Sequence, residues 1–376
     1  MSTKYVFGRL RRMAFMSIFA FSLFLIVPIA AFAQSHTAQS HPIHGIYQQT
    51  NLVSDLPGMA PVTDPNLVNP WGLVASATSP WWISDNNSGK STLYSGQGQI
   101  IPLVVTIPGP TGSAAGTVGT PTGIVFNSTT GFVVSEKGVS APASFIFATE
   151  DGTIAGWSGA VDRANAILTA DYSDGGAGAV YKGLAIGSTT AGTFIYATNF
   201  RSGVIQMFNS NFKLVDSFTD RHIPKGYAPF GIQNIGGNLY VTFAQQDAAR
   251  HDDVKGRGHG FVDVFNTSGK LLHRLISRGR LNSPWGLALA PANFGAFSNA
   301  LLVGNFGDGF IDAYNPTKGG FLGRLSTSSK APIVIDGLWG LSFGNGAGSG
   351  GTNDLFFTAG IQDESHGLFG KIDSAN

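Results

Sequence analysis

The stretch "SPWGLALA" at residues 283–290 has two echoes in the chain, "NPWGLVAS" at residues 69–76 and "GLWGLSFG" at residues 337–344. Alignment on the glycine of Trp-Gly-Leu brings out three weaker copies: Thr122-Gly123-Ile124, Lys182-Gly183-Leu184 and Phe230-Gly231-Ile232. The six glycines, Gly72, Gly123, Gly183, Gly231, Gly286 and Gly340, are spaced by 51, 60, 48, 55 and 54 residues. A short apolar strand follows each glycine. A second strand comes next, as in "WWISDN", "FIYATNF" and "LLVGNFG". A glycine turn leads to a third strand, such as "GVIQMFN" or "GFVDVFN", and a fourth closes most units, as in "KLVDSFT". Four short strands per unit of this length predict a propeller blade, since solenoid repeats are shorter or helical. No stretch of residues 34–376 carries a 3.6-residue apolar period.

The expected fold is therefore an all-β, six-bladed β-propeller of four-stranded blades over residues 46–373. Blade two carries an extra candidate strand at residues 132–135. The last unit stops after three strands, and "IYQQTNLVSD" at residues 46–55 belongs to no unit. It is expected to pair as the missing outer strand and close the ring, which leaves no sheet edge at the seam. The repeated glycine suits close backbone approach near an axis. The Trp or Phe before it is expected to wedge between neighbouring blades, an architectural role for Trp71, Trp285 and Trp339.

The N-terminus reads as an export signal over residues 1–33. Lys4, Arg9, Arg11 and Arg12 precede an apolar run at residues 14–30, and Ala31-Phe32-Ala33 supplies a small-x-small cleavage pattern. A retained membrane anchor is the competing reading of that run. The chain has no cysteine, so neither a lipoprotein nor a disulfide scaffold is expected. Residues 34–45 read as a flexible leader. The signal holds 4 of the 23 basic residues and none of the 22 acidic ones, so the remainder carries a net charge of −3. That balance excludes a basic nucleic-acid-binding face. The expected product is soluble, monomeric and periplasmic or extracellular.

The strings "NLVSDLPG", "DPNLVNPWGL", "FATEDGTIAGW", "GYAPFGIQ", "LNSPWGLALAP" and "TAGIQDESHGLFG" resemble a family of uncharacterised exported bacterial proteins. Some members of it carry PEP-CTERM sorting tails. The resemblance spans about residues 51–372 and implies a propeller. It supplies no activity, and this chain lacks the sorting tail. The blade pattern is also similar to NHL and gluconolactonase-like six-bladed propellers, at the level of fold.

Propeller topology places the loop before strand one and the loop after strand two on one face, near the axis. The first set holds Asn69, Lys182, Asn282 and Asp336. The second holds Asp85, Asn86, Glu150, Asp151, Asn199, Gln245, Asn305 and residues 362–364. Converging carboxylates and amides suit an oxygen-ligand cation site, with Ca²⁺ held by Asp85, Glu150 and Asp336. Asp and Asn also serve as turn residues, which is the plainer reading. His251, Asp252, Asp253 and His259 fall in the insertion "DAARHDDVKGRGHG", expected to be a solvated, mobile loop with no zinc spacing. His222, Lys225 and His366 are candidate bases without a visible partner. No nucleophile elbow, P-loop or dinucleotide fingerprint is present. Two functions stay open. One is a binding module that takes a small molecule, glycan or protein at the channel mouth. The other is a metal-assisted, lactonase-like hydrolase or lyase on the same face. A structural envelope component is a weaker third.

Overall fold

The structure is a computed structural model that describes residues 45–375. The export signal and all but the last residue of the leader lie outside them. Gly45 itself opens the first strand, Gly45–Ser54. The described residues are all-β, with two 3₁₀ turns and no α-helix. No helix among them is long and apolar enough to cross a membrane.

The strands form a propeller. Four sheets have four antiparallel strands each, and their first strands are Pro70–Val74, Pro121–Phe126, Tyr181–Thr189 and Tyr227–Ile235. Apart from one two-stranded hairpin, the remaining strands form one nine-stranded sheet rather than two separate blades. Its two arms start at Pro284–Leu289 and Leu338–Phe343. The join is local. Gly45–Ser54 pairs antiparallel with the final strand Leu368–Ser374, and its first two residues also pair in parallel with Leu325 and Ser326 of the neighbouring arm. The extra segment of the second unit is a separate hairpin, Val133–Glu136 with Val139–Pro142.

Second strands are buried on both faces because sheets cover them on both sides. Every residue of Trp81–Asp85 is buried. Successive side chains point to opposite faces, so Trp81 packs on Phe356 at 5.1 Å between ring centroids while Trp82 stacks on Phe145 at 4.0 Å. This is why such strands read as unbroken apolar runs.

The six glycines stand where first strands meet backbone to backbone. A Cβ added to Gly72, Gly123, Gly183, Gly231, Gly286 or Gly340 would come within 3.0 Å of main-chain atoms at the aligned site of the next unit. For Gly340 the atom struck is the carbonyl oxygen of Trp71, in the first unit. Threonines lock this contact: Thr198 donates to the Phe230 carbonyl at 2.6 Å, and Thr122 to that of Tyr181 at 2.7 Å.

The aromatics before the glycines do not wedge between blades as expected. They meet one another on the axis. Trp71 and Trp339 stack at 3.5 Å, and Trp285 stands edge-on to both at 6.0 and 5.8 Å. Phe230, Phe200 and Phe306 complete the plug. Trp71 and Trp339 are buried, whereas Trp285 is only partly so. The glycine fixes this outcome. With neighbouring backbones in contact, no gap is left between strands for a ring, and the side chain beside the glycine turns to the axis.

Trp339, in face-to-face contact with both Trp71 and Phe306, is the keystone. Trp339→Ala is expected to lower unfolding free energy by about 3–5 kcal/mol, the range for buried large aromatics. Trp285→Ala should lower it by less. Urea midpoints of the two variants check the order.

Candidate functional site

One of the six positions before a glycine carries a charge. Lys182 enters the aromatic plug with 2% of its side chain exposed. Its ammonium lies 5.1 Å from the Trp71 ring centroid and 5.9 Å from that of Phe200. The charge is met by Glu150 Oε1, in a short contact, and by Asp252 Oδ1 at 3.1 Å. Burial works against the ammonium, but the two carboxylates outweigh it and hold its pKa above the ordinary lysine range. Asn86 donates to the other Glu150 oxygen at 2.7 Å. His251 Nδ1 pairs with Asp252 Oδ1 at 2.9 Å. That hydrogen bond raises the His251 pKa and lowers that of Asp252.

A strained turn brings a third carboxylate to this face. Gln362, Asp363 and Glu364 have φ of 55°, 51° and 63°. Three consecutive left-handed residues without glycine are costly, about 1–2 kcal/mol each. Side chains of the same unit and of the first unit hold them. Asp336 accepts from the Gln362 amide at 2.9 Å, and Asn87 donates to the Glu364 carbonyl at 2.7 Å. Asn69 donates to Glu364 Oε2 at 2.9 Å and accepts from Trp339 Nε1 at 3.1 Å. Burial raises the Glu364 pKa; Asn69 and Lys182 oppose the shift, while Glu150 and Asp253 add to it.

Beside Lys182 a cavity of about 200 Å³ opens, lined by Thr120, Glu150, Asp151, Val180, Arg201 and His251 among others. Asp151 Oδ2 accepts from the Thr120 amide and hydroxyl at 2.7 and 2.8 Å. Arg201 Nη1 donates to the carbonyls of Gly176 and Gly178 at 2.6 and 3.2 Å. The walls thus carry both signs of charge.

The residues expected at the mouth divide into two groups. Asn69, Glu150 and Lys182 join the cluster. Asp85 does not. It is fully buried inside the first sheet, where it accepts from the Thr92 hydroxyl at 2.8 Å and leaves Oδ1 unpartnered. Asp336 is exposed and spent on the Gln362 amide. Asp85, Glu150 and Asp336 therefore do not form one ligand set. Among the described residues the group with cation-site spacing is Glu150, His251 and Asp252. Asn199 Oδ1 accepts from the Val180 and Ser202 amides at 3.3 and 3.2 Å. Asn305 Oδ1 accepts from the Asn282 amide at 2.9 Å, and Asn282 Oδ1 from that of Gly256 at 2.6 Å. Gln245 accepts from the Tyr227 hydroxyl at 3.4 Å. These four fasten loops.

The insertion at residues 247–260 is solvated as expected, with Ala248, Ala249, Arg250, Asp252, Lys255 and Arg257 exposed, but its backbone folds back on the sheet. Gln246 and Asp253 form a bridge, and His259 Nδ1 meets the Val254 carbonyl at 2.8 Å. It delivers His251 and Asp252 to Lys182, and sets the Lys255 ammonium 4.3 Å from the Phe306 ring centroid. His366 has a partner, Asp55, at 2.7 Å. Arg201 and Phe306 were missed from sequence, although each lies within two residues of the end of a second strand. Glu150, Phe200 and Phe306 each stand one residue past such an end.

No family model matches the chain. An uncharacterised protein of Acanthamoeba polyphaga mimivirus is 33% identical over 328 residues, covering 85% of this chain and 78% of its own length. A second from the same virus is 31% identical over 328 residues, covering 85% and 84%. Among solved structures, a glucose dehydrogenase superposes with a TM-score of 0.51 at 11% identity, over 87% of this chain and 100% of its own. At that identity the likeness concerns the fold alone.

Two outcomes follow from the electrostatics. Lys182→Met strips Glu150 of its buried partner and is expected to cost about 3–5 kcal/mol. Lys182→Met with Glu150→Gln should recover most of the loss, and a double-mutant cycle in urea measures the coupling. At Asp85, burial first, with Asp64 adding and Thr92 opposing, drives the carboxyl pKa well above its ordinary value. The folded chain then holds a proton that the unfolded chain releases near pH 4. The stability tied to that proton is present below this pH and is lost as pH rises through the folded pKa. Asp85→Asn should therefore gain melting temperature over wild type as pH increases, and paired melts across pH check it.

Proposed function

We propose that this chain, which belongs to the family of the two mimivirus proteins, is a binding module that takes a small polar ligand on the Lys182 face. One observation carries the reading. Aromatic rings fill the axis, while a polar cavity of about 200 Å³ opens beside the buried Lys182–Glu150 pair. A pocket with few, fixed polar groups is the usual form of a small-molecule site. Ligands reach this one from the face and not through a channel. The strained turn at residues 362–364 supports the same face, since strain of this kind collects where geometry serves function.

The ring is read as six-bladed, with the nine-stranded sheet counted as two blades joined at Gly45 and Ile46. The cyclic series of glycine contacts, from Gly72 through Gly340 back to Trp71, supports that count. The three-part pattern of residues 1–33 supports export to the periplasm or cell exterior. The long shared strings support kinship with the exported bacterial proteins that include PEP-CTERM members. The working state is a monomer.

A cation-assisted hydrolase or lyase is the second reading, favoured by the spacing of Glu150, His251 and Asp252. The Lys182 ammonium already bonds two of these groups, so a metal would have to displace it. The imidazole suits zinc better than Ca²⁺. Under this reading Ca²⁺ or Zn²⁺ raises the melting temperature and a chelator lowers it. Under the binding reading neither moves it.

The test is a thermal-shift screen of neutral sugars, amines and small carboxylates, with hits mapped by hydrogen exchange. Protection is expected in residues 148–152, 174–180 and 199–203. Hits that protect only the opposite face, or a screen without hits, would overturn the proposal.

A further inference from the structure

The unspent hydrogen-bonding capacity of the cavity identifies its ligand more closely, given the binding reading above. Glu150 is satisfied by Lys182 and Asn86. Arg201 is not. Among the described residues only its Nη1 is bonded, to Gly176 and Gly178. Those two bonds fix the guanidinium plane against the loop before Tyr181–Thr189 and leave Nε and Nη2 for a ligand. Asp151 is likewise half used, with Oδ2 on Thr120 and Oδ1 without a partner among the described residues. His251 spends Nδ1 on Asp252 and keeps Nε2.

We infer that the cavity takes a small hydroxycarboxylate, its carboxylate on Arg201 and its hydroxyl groups on Asp151 and His251. An anchored guanidinium with two free donors matches a planar carboxylate. A single free carboxylate oxygen in the opposite wall demands a donor from the ligand, which a hydroxyl supplies. His251 Nε2 meets a hydroxyl in either protonation state, as donor when the ring is charged and acceptor when it is neutral. Phosphate is disfavoured. Its second negative charge would face Asp151, Glu150 and Asp252, while Lys182 is committed to Glu150 and Asp252 and His251 shares its Nδ1 with Asp252. A cavity of about 200 Å³ accommodates a ligand of a few carbons, not a polymer chain.

Glycerate and glycerol differ only in the group that Arg201 would read. Titration of the full chain with glycerate, followed by calorimetry and by NMR of the Arg201 and His251 side chains, should show saturable binding. Glycerol, ethanolamine and inorganic phosphate should bind much more weakly. Arg201→Gln should weaken glycerate binding by about tenfold or more, the loss of a charged hydrogen-bond pair. Arg201→Lys, which keeps the charge and loses the fork, should fall between. Since Arg201 also holds the 176–178 loop, His251→Ala serves as a variant that leaves that anchor intact, and it should weaken glycerate binding without making glycerol the better ligand. Glycerol or ethanolamine binding as well as glycerate, at the same loops, would sink the carboxylate assignment while the face stayed a binding site. Phosphate binding more tightly would reassign the cavity to phosphate esters. Full glycerate affinity in both Arg201→Gln and His251→Ala, or no binding by any probe, would refute the site.

Discussion

Backbone contact between first strands at six glycines is the constraint on which this structure depends. Each glycine lets its strand touch the main chain of the next unit, and a Cβ at any of them would strike that chain. Because the contact is backbone to backbone, it holds whatever side chains flank it. The units can then diverge in length, turn and loop while the ring geometry persists. Two threonine hydroxyls reinforce these points, Thr198 and Thr358, which donate to the Phe230 and Trp71 carbonyls that Gly183 and Gly340 approach. Alanine at one of these positions would push two blades apart, which is a different failure from an ordinary core cavity.

The functional face follows from the same constraint. The aromatic residues before four of the glycines, Trp71, Phe230, Trp285 and Trp339, meet in one plug. Lys182 occupies that position in the third unit. It is a charged member of a packing series, and the plug becomes its environment. Aromatic faces stabilise the ammonium by their quadrupoles, and Glu150 supplies the full counter-charge. An isolated lysine there would be neutral or expelled. The lysine and Glu150 therefore come as a pair, and the cavity lies on the side of Glu150.

The repeat was legible in sequence because glycine spacing and second-strand composition are properties of single positions. The two ends of the chain were legible for the same reason: one unit lacked a strand and one strand lacked a unit. The direction of a side chain at a strand end was not. Asp85, Asn199 and Asn305 close second strands, and Asn86, Phe200 and Phe306 follow them. A shift of one residue reverses the face. The closing Asn residues turn to loop amides and the followers toward the axis, so a list of polar residues near the mouth mixed fasteners with site residues. Asp85 illustrates the risk. Its type suggested a ligand, yet its position in the alternation buries it against Thr92 in the blade. The insertion before Gly260 misled in another way. Its polar composition reads as solvent-facing, but His251 and Asp252 face a buried counter-charge that lies 69 and 70 positions away, and no local pattern reports that.

Several irregular features of this molecule gather on the Lys182 face. Lys182 sets a charge among the aromatics, residues 246–259 lengthen a turn that is short in other units, and residues 362–364 adopt a left-handed turn held by hydrogen bonds from its own unit and from the first. They arise in the third, fourth and last units, so a common local cause does not account for them. Each disfavours folding by itself: a buried ammonium, an ordered loop, a strained backbone. Local rules fail where a structure serves something besides its own stability. The other end carries irregularities of its own, an extra hairpin at Val133–Glu136 and Val139–Pro142 and left-handed Phe132, Lys137 and Asn299, but among the described residues no buried charge meets the plug there. There the first strands enclose a void of about 30 Å³ lined by glycines, leucines and Gln233. What sets the Lys182 face apart is charge: a buried ammonium, its carboxylate partners and a left-handed turn that presents Glu364 meet there beside the aromatic plug.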